Sequence, residues 1–137
     1  MVAVYDLRKD SSRIEAFQHL SRIKSPHGII PEHGLIGSGE WWSAVSAGTL
    51  ETRAVEGTIS RVYFGGHSTS FDGRSGADFP MFEIDDGSSR TQLQRVGDDA
   101  HFVVGGPIRV DCVFGRSFRG DSKPIILKIW IRNDDSG

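Results

Sequence analysis

Two segments carry the side chains best suited to recognition. Residues 115–123 place Arg116, Phe118, Arg119 and Lys123 around a single acid, Asp121. Cations hold phosphates or carboxylates, and a flat ring among them lets a base stack or a partner side chain pack. Residues 65–78 are rich in glycine and serine and hold His67 and Arg74 as polar contacts and Phe71 as an anchoring ring. A connection this long in a compact domain is either functional or a tolerated insertion. On the flanking strands, Arg61, Arg109 and Lys128 extend the basic patch, with Tyr63 and Trp130 as further aromatic surfaces.

Other chemistries fit less well. His27, Glu32 and His33 lie in a proline- and glycine-punctuated segment and lack the helical spacing that aims two histidines at one ion, so no metal site is expected. Glu83, Asp85 and Asp86 read as outward strand positions followed by an Asp-Gly turn, a solvated arrangement rather than a cation cage. Gly66-His67-Ser68-Thr69-Ser70 puts serine where a nucleophile elbow requires glycine. Gly37-Ser38-Gly39 and Gly105-Gly106 are too short for phosphate loops. No cofactor is implied. Cys112 alternates with Ile108, Val110 and Phe114, so its expected environment is a core, where thiols are inert.

The elements that position these residues change character along the chain. Ile14, Phe17, Leu20 and Ile23 recur every third residue behind Ser12 and Glu15, a capping box, which predicts a helix over 13–23. Val2, Val4 and Tyr5 favour a short strand ahead of it. Ile29-Ile30 and Leu35-Ile36, set among Pro26, Pro31 and Gly34, form an apolar loop expected to lie across the core. A second helix is expected over 39–47, capped by Ser38 and ended by Gly48, with one of Trp41 and Trp42 buried and the other partly so. From Val55 the period changes to two. Strands are expected over 55–64, 79–85, 90–96, 108–115 and 125–132, with a hairpin turn at Asp86-Gly87-Ser88 and a bend at Gly57. Residues 98–104 leave room for only a turn or two of helix.

The 137 residues fit one domain with its own core, and 17 glycines imply many turns. A net charge of −2 argues against holding nucleic acid by overall charge. A single cysteine excludes an internal disulfide framework, which points to a reducing, cytoplasmic setting. No apolar run reaches the roughly 18 residues of a membrane helix, and the acidic start does not look like a secretion signal.

Five strands in this order resemble the OB fold, a small barrel that binds oligonucleotides or oligosaccharides. The resemblance covers residues 55–132 and rests on strand count, loop positions and glycines. It implies a five-stranded barrel behind two short N-terminal helices that cover an end or edge, giving a mainly β, α+β domain with the two loops at its rim. On this reading the chain is a non-catalytic binding module. Near-zero charge places a protein partner ahead of single-stranded nucleic acid, and an enzyme using His67 with nearby carboxylates comes third.

Overall fold

The structure is a computed structural model in which residues 1–66 and 78–132 are described. Its strands are β1 (Val2–Asp6), β2 (Thr52–Gly66), β3 (Asp78–Asp85), β4 (Arg90–Gln94), β5 (Pro107–Arg116) and β6 (Ser122–Ile131), and its helices are α1 (Ser11–Arg22) and α2 (Gly39–Ser46). The class is the expected one, mainly β with N-terminal helices. The barrel is not: β1 joins the sheet as a sixth strand, and the order β1-β6-β5-β2-β3-β4 leaves the sheet open. The resemblance therefore extends to the mainly β class, not to the strand number or to closure. No helix among the described residues is long and apolar enough to cross a membrane.

The chain divides into two compact units. The first comprises Met1–Val4, Val55–Arg109 and Trp130–Gly137, the second Tyr5–Ala54 and Val110–Ile129.

In the first unit, Ile59, Phe82, Ile84, Leu93, Phe102 and Ile108 are buried. The rings of Phe82 and Phe102 meet at 4.7 Å. Each such side chain contributes roughly 1.5–3 kcal/mol when removed from water. The β2–β3 register slips between Ile59 and Arg61, which is a β-bulge. The extra residue changes the parity of β2: Ile59 is paired with Ile84 and Val62 with Phe82, whereas Arg61 is paired with Glu83 and Tyr63 with Met81. Arg61 and Tyr63 thereby share the face opposite the core. Gly57 stands where its strand passes the Asp85 carbonyl so closely that a Cβ would collide with that oxygen. The turn after β3 is built by Asp86, whose Oδ1 accepts the N–H groups of Ser88 (2.8 Å) and Ser89 (2.7 Å).

In the second unit, Leu7, Ile29, Ile36, Trp41, Val110, Cys112, Val113, Ile125, Ile126 and Ile129 are buried. Adjacent residues Cys112 and Val113, and likewise Ile125 and Ile126, are all buried, so these strands are covered on both faces there. Helix α2 follows expectation: Ser38 Oγ accepts the Trp41 N–H at 3.2 Å, Gly48 has φ +75°, Trp41 is buried and Trp42 half-buried. Helix α1 starts earlier than predicted. Its cap is Asp10, which takes the Arg13 N–H on Oδ1 and the Tyr5 hydroxyl on Oδ2 (2.8 Å), in place of the Ser12–Glu15 box. It also ends earlier, so Ile23 is exposed. The left-handed Lys24 (φ 53°) turns the chain out of the helix.

Candidate protein-binding site

The apolar loop of the second unit sets the site's frame. The Ser21 hydroxyl on α1 donates to the Ile29 carbonyl at 2.7 Å, and Gly28 runs so near the helix that a Cβ would lie 2.5 Å from the Leu20 carbonyl oxygen. The other side of the loop zips onto the β5–β6 connection. Ile30 N–H donates to the Arg116 carbonyl (2.8 Å), Phe118 N–H to Gly28 (3.0 Å) and Arg119 N–H to Pro26 (3.3 Å), with Ile29 and Ser117 bridged in antiparallel fashion. Inside the connection, fully buried Ser117 receives the Asp121 N–H on its hydroxyl (3.1 Å) and the Gly120 N–H on its carbonyl (2.9 Å), with Gly120 at φ +105°. The basic hairpin is thus pinned through its main chain. Its ordering entropy is lost on folding rather than on binding.

On this frame Arg116 and Arg119 are exposed, while Phe118 and Lys123 are half-buried. Arg119 faces Asp121 at 3.8 Å, and Lys123 Nζ lies 3.4 Å from His27 Nδ1. Among the described residues the Arg116 guanidinium has no ion pair, and it stands on the rim of a cleft of about 300 Å³. Buried Ile36, Trp41 and Val113 line this cleft, with Glu32 and Glu51 also at its walls. Beside it, Arg53 lies over the Phe114 ring at 5.1 Å while bonding Glu51 at 3.2 Å. The cleft went unrecognised in the sequence. The apolar pairs of its loop were legible, but nothing in their spacing reveals what they pair with.

Of the remaining candidates, Lys128 belongs to the second unit, and the others fall in the first unit or outside the described residues. Arg61 lies over the Tyr63 ring at 3.9 Å, and Trp130 is half-buried. His67, Phe71 and Arg74 lie outside the described residues. Arg109, counted with the basic patch, bridges Glu56 at 3.6 Å. Glu83 corrects an expectation: it is buried, not solvated, because Ser60 Oγ (2.8 Å) and Gln92 Nε2 (3.1 Å) donate to its two carboxylate oxygens. Those bonds hold its pKa below the usual carboxylate value. The Cys112 thiol is pushed up to about 11, first by burial and then by Asp111, which suits an inert core position.

Arginines laid on aromatic rings recur in both units, as at Arg8 over Trp42 (3.9 Å) and Arg95 over Phe64 (4.9 Å). Such side chains bury area while keeping directional donors, the composition of protein interfaces. The class is that of a protein-interaction module. The family model for immunity protein RhsI2 matches residues 1–119, and the chain belongs to that family. No curated protein matches it.

Proposed function

We propose that this chain is a non-catalytic immunity protein that neutralises a toxin by binding it. The observation that carries the reading is the family match, which spans both helices, β1 to β5 and the first half of the basic hairpin. The pinned hairpin supports it, since a rigid, arginine-bearing projection beside an apolar-floored cleft binds a protein with little ordering cost. Arg116 and Phe118 are the proposed anchors, with Arg119 and Lys123 at the rim. Arg61, Tyr63 and Trp130 of the first unit, and His67, Phe71 and Arg74, are further proposed contacts. The cytoplasmic setting inferred from the single cysteine is part of the same proposal.

Growth protection tests it. Cells induced for a toxin domain encoded in the same gene neighbourhood are expected to survive when this chain is co-expressed. Arg116→Glu with Phe118→Ala should lower affinity at least about tenfold, the scale of losing one or two interface anchors, and so restore killing. Full protection by the double variant, at equal expression, would remove the hairpin from the account. Failure of the wild type to protect against any such domain would remove the function.

A further inference from the structure

We infer that the free edge of β4 accepts an extended strand of the bound toxin, lengthening the sheet by one strand. This rests on the proposed immunity function and names a contact for it in the first unit. Strand β4 ends the sheet order, so one of its edges has no partner strand among the described residues. Its register with β3 shows which groups lie there. The Arg95 N–H donates to the Pro80 carbonyl at 2.8 Å, and the aligned pairs run on through Phe82–Leu93 to Ile84–Thr91. In an antiparallel ladder bonded pairs alternate with non-bonded ones. Residues 91, 93 and 95 therefore spend their main-chain groups on β3, and Arg90, Gln92 and Gln94 turn theirs outward.

Apart from its shortness and the charge of Arg90 at its start, this edge lacks the usual protections. Residues 91–94 contain no proline and no charged side chain, and the β3–β4 register runs without a bulge. Two side chains beside this edge have partners on β3. Gln92 is tied to Glu83, and Arg90 bridges Asp85 at 3.6 Å while remaining exposed. An incoming strand would find the outward main-chain groups of three residues, and Arg90 favours a carboxylate opposite it.

The occupant is a protein segment other than a second copy. Five residues bury far less than the roughly 1,200 Å² of a stable interface, so this edge cannot hold a homodimer alone. It fits as part of a larger contact. A second β4, paired antiparallel about Gln92, would moreover set Gln94 opposite Arg90 and supply no carboxylate.

Residue-resolved amide exchange on the full chain, alone and with the toxin domain used for growth protection, tests the inference. In the dilute free chain, Gln92 and Gln94 should exchange fast while Thr91, Leu93 and Arg95 are protected. Saturating toxin domain should slow Gln92 and Gln94 by about tenfold or more. Gln94→Pro removes an outward N–H that β3 does not use, leaves the Gln92–Glu83 bond in place, and should weaken binding by about tenfold. A bound toxin domain that leaves both amides fast would overturn the edge contact while keeping the immunity function. Protection already present in the dilute free chain, or growing with its concentration alone, would overturn it in favour of a covered edge or self-pairing. Absence of any binding would overturn both.

Discussion

Asp86 holds the β3–β4 turn with one carboxylate, and its chemistry sets a pH dependence. Four donors from Ser88 and Ser89 converge on it, led by the two backbone N–H groups, and its pKa falls from 3.8 to about 2. A depressed value means that the charged form stabilises the fold above the ordinary value, and that this contribution is lost as pH falls from about 4 toward 2. Asp86→Asn keeps an acceptor but no ionisable charge. The melting temperature of the wild type should exceed that of the variant by a constant margin from pH 7 to 5, and the margin should shrink between pH 4 and 2. Glu83 titrates in both proteins and cancels in the comparison. A margin unchanged down to pH 2 would show that the charge contributes nothing. The Asp-Gly turn was legible because it is written in adjacent residues. The burial of Glu83 was not, because its partners Ser60 and Gln92 arrive from two other strands and one of them sits on a bulge.

At the scale of elements, the loop between the helices latches the hairpin through Gly28. A side chain there would meet the Leu20 carbonyl, so Gly28→Val should destabilise the protein by about 2 kcal/mol, within the range of steric core changes. It should also speed exchange at the Phe118 and Arg119 amides, which bond the same loop. A urea midpoint equal to wild type, with those amides still protected, would mean that the loop does not hold the hairpin. Helix α2 was legible to its ends because Ser38 and Gly48 are local signals. The start of α1 was misjudged because Tyr5 Oη orients Asp10 as the cap, a contact outside any capping-box pattern. The hairpin's attachment to residues 26–30 has no periodicity at all. It joins segments far apart in the chain through main-chain groups that every sequence possesses.

For the whole molecule, the period-two stretch from Val55 onward disclosed a sheet, and the six-stranded order shows how much remained hidden. Closure into a barrel was an inference from strand count, and strand count does not say which edges pair. The N-terminal strand was too short to announce that it extends the sheet. Charge separates the two partner classes first considered. The second unit, which carries the hairpin, has a net charge of only +2 (ten basic minus eight acidic residues), too little to concentrate a polyanion. Two of the hairpin cations already face Asp121 and His27. Arg116 is the exception, and the cleft beside it gives an arriving protein both a charge contact and apolar surface.

Calorimetric titration of the full chain into a toxin domain against which it protects cells tests the account most directly. Binding by sequestration predicts a saturable isotherm with a fixed stoichiometry, weakened about tenfold or more by Arg116→Glu with Phe118→Ala. Protection in cells without any measurable complex would contradict it.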